Sequence, residues 1–436
     1  MGVTAVLAGF SAMMGMLLMS FPIAVIMVIL GVFGGVMLYG WPLLNSMGPV
    51  IWGVQNENIL TAIPLFILLG ELLLRSGLAD KMYGALAMWL ERLPGGLLHT
   101  NIGSCALFAA TSGSSVATAA TVGTVALPAL TSRGYPAAQS LGSLAAGGTL
   151  GILIPPSVNL LIYGSLANES IGRLFIAGIV PGLTLTLLFM AFIAAESILR
   201  SRRSEIKEAP RIPLNVRISA LKHLIPPAII FGVVMGSIYT GLATPTESAA
   251  LGVVVALGFA WREKKLTLDF LDMCFRQTAK TTGMILLIVT AAFMLNVTLA
   301  LGGVAQTMTA WVASFGLSSV GLLMVLIVFY LFLGMFMDVL SMQVLTIPVA
   351  LPIVTAVGVD PIWFGIFIVL MCELGMITPP VGMNLYVVHG IRKDGGPFRD
   401  VVYGAMPYAL IMILFTMLLI FFPAIVTWLP NRMLGN

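Results

Sequence analysis

Two long apolar stretches of this chain are each interrupted by a proline pair, and the pairs lie at a fixed separation. Pro155-Pro156 falls inside the run from Leu141 to Leu166, and Pro379-Pro380 falls inside the matching run. The offset is 224 positions, and it also relates Pro352 to Pro128, Gly358 to Gly134 and Thr355 to Thr131. It holds without a gap from Leu107 and Leu331 through Leu161 and Leu385. A register kept over that length marks an internal duplication. Proline lacks an N–H and clashes with the carbonyl four residues back, so two in succession break a helix. The duplicated unit is therefore a helix broken within an apolar run.

Composition sets the solvent in which those breaks lie. The chain is 59% hydrophobic and 9% charged, against about 25% charged in soluble domains. No charged side chain precedes Glu57. Apolar runs near the length of a bilayer recur along the whole sequence, which predicts an all-α polytopic membrane protein in a lipid bilayer. The N-terminus has no basic leader or cleavage site, so Met1–Ser20 reads as a retained span. Cys105, Cys274 and Cys372 are scattered and fit neither a disulfide framework nor a zinc site. The net charge of +4 comes from loop clusters and implies no nucleic acid partner. No G-x-x-x-x-G-K-[ST], H-E-x-x-H or G-x-S-x-G motif occurs, so nucleotide-driven pumping and the commonest hydrolytic chemistries have no visible site.

In chain order, spans are expected at Val3–Met19, Pro22–Tyr39, Leu60–Leu74, Ile171–Ile198, Leu224–Tyr239, Ala249–Ala260 and Met284–Leu301, with a final span over 401–428. Leu44–Asn58 is more polar and suits the interface. The loop 200–222 carries seven Lys/Arg and a second basic loop runs from Arg262 to Lys280. The positive-inside rule places both in the cytoplasm. That assignment holds only if residues of about 101–133 and 318–357 are re-entrant hairpins without a net crossing, which leaves both termini outside. Five crossings then separate Pro22 from Pro245, so a first repeat (22–199) and a second (245–391) have inverted topology. Their broken helices span about 137–165 and 361–391, all within one membrane domain, 1–436. Ser76–Met82 also resembles Gly302–Met308, slightly out of register.

Each break frees backbone carbonyls, which must be buried in protein or line a site. With Ser and Thr hydroxyls they are hard oxygen donors suited to Na⁺. Half-helix N-termini can face an anion. Hairpin one holds Thr111, Ser112, Gly113, Ser114, Ser115, Thr118 and Thr121, and its tip, if it meets the Pro155-Pro156 break, would make a cation cage without a carboxylate. The plainer reading of these small residues is close helix packing. Hairpin two is less polar, with Met337, Asp338, Ser341, Gln343 and Thr346, and Asp338 stands at the register of Ser114. A carboxylate there is a functional candidate or a cap at the hairpin tip. Glu373 precedes the second break, which contains Gly375, Thr378, Pro379 and Gly382; it could bind a cation, carry a proton or face a water-filled cavity. Glu71 pairs with Arg75 at i+4, and Thr244-Pro245-Thr246-Glu247 reads as a capping box.

At these residues the chain resembles the large, DctM-like membrane subunit of tripartite ATP-independent periplasmic (TRAP) transporters. The similarity lies in Ser112–Thr118, Gly151–Ser157, Gly241–Ala250, Gly334–Ile353 and Gly375–Val387, and with the span order it covers essentially the whole chain. The resemblance implies an elevator-type fold in the bacterial inner membrane. It implies a small four-helix membrane subunit and a periplasmic solute-binding protein as partners, an organic acid anion as substrate, and Na⁺ as coupling ion with no other cofactor. Carried over, one cation site would involve Ser112–Ser115 with Gly151, Ile154 and Pro155. The other would involve Met337 and Asp338 with Gly375, Thr378 and Pro379. The substrate would lie between them, near Pro156, Ser157, Asn159, Pro380 and Asn384.

The competing readings are a self-sufficient carrier of the same fold and a proton-coupled symporter using Glu71, Asp338 or Glu373. An intramembrane enzyme would need a nucleophile–base pair or metal cluster that the sequence does not offer.

Overall fold

Helix ends follow the prolines and glycines along the chain. The computed structural model describes residues 2–200 and 212–434, so residues 201–211 of the basic loop 200–222 lie outside the described residues. Helices α1 (Val3–Leu18) and α2 (Ile23–Val28) are separated at Pro22. A π-helical stretch, Ile29–Gly34, joins α2 to α3 (Gly35–Tyr39). The widened turn lies where the chain meets the later helix around Leu295: a Cβ on Gly31 would sit 2.8 Å from the Leu295 Cα, and Thr298 Oγ1 donates to the Gly31 carbonyl at 2.6 Å. The chain continues through α4 (Pro42–Gln55), then α5 (Ala62–Arg75) and α6 (Leu78–Leu90), which bend by 67° at Gly77. Gly77 has φ +76°, a conformation that glycine adopts freely.

Next come the hairpin α7 (Leu97–Ser112) and α8 (Ser115–Ser132), the pair α9 (Ala137–Leu153) and α10 (Val158–Ala167), bent by 42°, and the 30-residue α11 (Ile171–Arg200). After 211 follow α12 (Leu214–Ala220), α13 (Ile225–Tyr239), α14 (Pro245–Arg262), α15 (Leu268–Leu301) and α16 (Val304–Ala313). A second hairpin, α17 (Ser319–Gly334) and α18 (Val339–Ala356), precedes a second pair, α19 (Pro361–Met376) and α20 (Met383–Gly390). The chain ends with α21 (Arg399–Phe421) and α22 (Ala424–Leu434).

The described residues are all-helical, with six helices long and apolar enough to cross a membrane, or up to eight if each bent pair is one span. The final span expected over 401–428 is corrected here. The helix stops at Phe421, and Pro423, which has no N–H to continue the ladder, separates it from α22. α15 also starts earlier than the expected Met284, at Leu268 behind a Thr267 cap. Thr244 and Glu247 form the capping box that opens α14, and Arg75 Nε meets Glu71 at 2.9 Å.

α9 and α19 form the centre. Every residue from Ser140 to Leu153 and from Ile362 to Met376 is buried, as befits helices apolar around their whole circumference. Small residues let neighbours close on α9: a side chain at Gly142 would overlap the Gly404 backbone of α21. Val325, Val328 and Phe332 of α17, and Leu410, Leu414 and Leu418 of α21, point outward at helical spacing and suit lipid contact.

Candidate functional site

Hairpin one turns at Gly113, whose φ of +60° admits the tight reversal. Ser114 then caps α8, accepting from Ala117 N. The turn is knit by hydroxyls. Ser112 Oγ and Thr118 Oγ1 are 2.8 Å apart, and Thr118 Oγ1 donates to the Ser114 carbonyl at 2.7 Å. The tip lies on the first break. A Cβ on Gly151 would sit 2.6 Å from the Ser114 carbonyl oxygen, and one on Gly113 would sit 3.0 Å from that of Pro156. Ser115 Oγ donates to the Thr149 carbonyl at 3.2 Å.

The break is caused by its own residues. The carbonyls of Gly151 and Ile152 would serve the amides four residues on, but residues 155 and 156 are prolines. Among the described residues no backbone amide donates to Gly151, Ile152 or Leu153. Three buried carbonyls therefore stand beside a hydroxyl-rich turn. Ile154 and Pro155 connect the halves, and Ser157 restarts the chain by capping α10 through Leu160 N. On the far side, Gly178 and Gly182 of α11 admit the break: a Cβ on Gly178 would meet the Leu153 carbonyl at 2.7 Å.

The second unit keeps the register but not the chemistry. α8 and α18 begin and end at matching positions, and their caps, Ser114 and Asp338, occupy equivalent sites. Both proline pairs are joined by a cis bond. Asp338 spends its carboxylate on its own helix: Leu340 N and Ser341 N donate to Oδ2 at 3.2 and 3.3 Å, and Ser341 Oγ bonds Oδ1. The α19 end is wound further. Ile377 N donates to Leu374, Thr378 N to Gly375, and Thr378 Oγ1 to Leu374 at 2.7 Å. The hairpin tip is tied to the break by Val381 N donating to the Met335 carbonyl at 3.2 Å. Met337 is buried in this tip. Tyr386 OH donates to the Pro380 carbonyl.

The two units interlock. α9 packs on α7 and α8, and α19 packs on α17 and α18, whereas α10 crosses to α18 and α20 crosses to α8. Asn384 of α20 reaches α9, where Nδ2 donates to the Ala145 carbonyl at 3.3 Å; its Oδ1 is buried without a hydrogen-bond partner. Asn159 and Ser157 are buried on α10. No hydrogen bond joins either to Pro380 or Asn384 among the described residues.

Sequence reasoning passed over Thr149, Gly178 and Gly182. The Gly-x-x-x-Gly spacing in an apolar helix was the available signal for the last two. Thr149 had none, because a hydroxyl inside a buried helix usually bonds its own backbone, as this one does to Ala146.

Residues 10–425 match the family model of the tripartite ATP-independent periplasmic transporter, DctM component. The chain belongs to this family. The permease is 33% identical over 400 residues to the C4-dicarboxylate TRAP transporter large permease protein DctM of Pseudomonas aeruginosa, covering 91% of this chain and 92% of that one. It is 31% identical over 400 residues to the sialic acid TRAP transporter permease protein SiaT of Haemophilus influenzae, covering 90% of this chain and 63% of that one. Over 426 residues it is 29% identical to the ectoine TRAP transporter large permease protein TeaC of Halomonas elongata, covering 97% and 98%. The fold is similar to the Alcanivorax borkumensis YdaH transporter, with a TM-score of 0.64 at 15% identity over 89% of each chain. The permease is thus a multi-pass inner-membrane transporter component and not an enzyme.

Proposed function

We propose that this permease imports an organic acid anion down a sodium gradient, together with a small membrane subunit and a periplasmic solute-binding protein. The observation that carries the reading is the junction at Gly151–Pro156. Three carbonyls without amide partners lie in this break, and the hairpin tip carrying the Ser112, Ser114 and Thr118 oxygens packs against it at Gly151. Such a donor set suits a small hard cation, and filling it compensates carbonyls that otherwise lack a partner. The second junction offers Gly375, Thr378, Pro379 and Met337, with the backbone rather than the carboxylate of Asp338, for a further cation. The starts of α10 and α20, beside Ser157, Asn159 and Asn384, offer amide dipoles to an anion. The relatives' names give C4-dicarboxylate, sialic acid and ectoine; an anionic substrate fits the amide dipoles best.

The interlocked hairpins and broken helices would move as one body against the outer helices, in an elevator cycle between inverted repeats. The test is uptake into proteoliposomes holding both membrane subunits, with the binding protein and labelled substrate outside. Na⁺-driven uptake that needs the binding protein is the expected result. Uptake by this chain without the binding protein would make it a self-sufficient carrier.

A further inference from the structure

One face of α14 turns away from the rest of the protein. Leu251, Val254, Gly258 and Trp261 are exposed along it at helical spacing, while the helix packs chiefly on α5 and α13. Where that face reaches the helix end it holds an open groove of about 650 Å³, lined by Val255, Gly258, Phe259, Trp261, Arg262 and Lys264. Ligand pockets span about 300–1,000 Å³. Gly258 helps to leave the room, since a Cβ there would meet nothing within 4 Å.

The groove is apolar along the helix and basic at its end. The Lys264 N–H donates to the Trp261 carbonyl at 2.9 Å and that of Lys265 to Ala260 at 3.0 Å, which closes the helix. Lys264 has φ +56°, the left-handed conformation that glycine takes at less cost. The lysine adds a cation beside the groove. Glu263 bonds Lys81, and Asp272 pairs with Arg276. Arg262, Lys264 and Lys265 form no ion pair among the described residues. Against these three stands one unpaired carboxylate in the first turn of α15, Asp269. Leu266 and Leu268 of the same turn are exposed, Leu268 at 85%. Tryptophan, leucines and lysines shown together suit the headgroup layer of a bilayer, where rings and long cationic side chains lie at the boundary. The positive-inside rule puts this end of α14 at the cytoplasmic surface, which is anionic.

We propose that this groove binds an anionic glycerophospholipid of the cytoplasmic leaflet, an acyl chain lying along Val255, Gly258 and Phe259 and the phosphate meeting Arg262 and Lys264. Guanidinium and ammonium groups both bind phosphate, and the apolar walls suit a ligand with a hydrocarbon tail rather than a free anion. The inference does not depend on the proposed transport reaction.

The test is quenching of tryptophan fluorescence by brominated lipid. The full-length permease is reconstituted in phosphatidylcholine vesicles with increasing brominated phosphatidylglycerol, or with brominated phosphatidylcholine as the neutral probe. The difference between wild type and Trp261→Phe isolates the Trp261 signal. Half-quenching by phosphatidylglycerol is expected at a mole fraction up to about thirtyfold lower than by phosphatidylcholine, the limit for two cations near the surface. Arg262→Gln and Lys264→Gln should each lower that preference about fivefold. Gly258→Leu, which fills open space, should abolish it. Thermal unfolding in phosphatidylcholine checks that these exposed substitutions leave the fold intact. Equal quenching by the two lipids in wild type overturns the proposal without any groove variant. So does a preference that survives Gly258→Leu or the combined loss of both cations. A preference abolished by millimolar inorganic phosphate at constant ionic strength would make the ligand a free anion. Protection of Trp261 from both brominated lipids by the small membrane subunit would make the face a protein contact. Either result also overturns the lipid site.

Discussion

Gly334 and Gly375 meet back to back: a Cβ on either would lie 2.7 Å from the other's Cα. One closes the first helix of hairpin two, and the other stands just before the second break. Their contact sets how deeply the hairpin tip seats against the break. Gly375→Ala is expected to force α17 and α19 apart, at about 1–3 kcal/mol of overpacking. Thermal unfolding in detergent and uptake should fall together.

Gly151→Ala probes the other junction. Its Cβ would strike the Ser114 carbonyl oxygen and move the tip of hairpin one. If about 1.4 kcal/mol of the strain falls on the cation-loaded state, the sodium concentration for half-maximal uptake rises roughly tenfold. The measurement is sodium titration of uptake. An unchanged value would remove Gly151 from the cation site.

Ser112→Ala deletes one member of the hydroxyl pair with Thr118 and leaves the Thr118 bond to Ser114 in place. The fold should tolerate it, at a cost of about 1 kcal/mol. Sodium affinity is expected to drop about fivefold, by titration of uptake in the same proteoliposomes.

Asp338 separates charge from capping. Asparagine caps helices as well as aspartate does, whereas alanine costs about 1 kcal/mol. Asp338→Asn should keep near wild-type stability and uptake, and Asp338→Ala should lose stability. Uptake abolished in a stably folded Asp338→Asn would show that the charge itself is used.

Arg392 clamps the connection from α20 to α21 by bonding Asp394 and reaching Asp400 at 2.9 Å. Bonding to Arg392 holds the Asp394 carboxyl below its ordinary 3.8. Its contribution is therefore complete above pH 3.8 and lost only as pH falls through the lower folded value. Melting curves of Arg392→Ala and wild type should differ by a constant shift across pH 5–8, leaving any pH dependence of uptake in that window to other groups.

Much of this architecture was legible in the chain itself. Proline pairs in apolar runs break helices whatever surrounds them, and the constant offset made α8 and α18 equivalents before any coordinate was known. Ser112–Ser115 could be picked because hydroxyls crowd one Gly turn. Asp338 looked like its counterpart by register, yet only the backbone around it shows that it caps α18. Glu373 could be read as ligand, proton carrier or cavity residue, because a sequence gives no neighbours.

What the sequence by itself determined is where helices stop and which carbonyls lose their amides, since both follow from local covalent geometry. Only the tertiary structure decided that α10 packs on α18 and α20 on α8, and that α19, which carries Glu373, packs on α9. An apolar half-helix must be buried, but hydrophobic burial has no direction. Shape alone selects the partner, through contacts such as the Gly123 backbone of α8 against Ile391 at the end of α20.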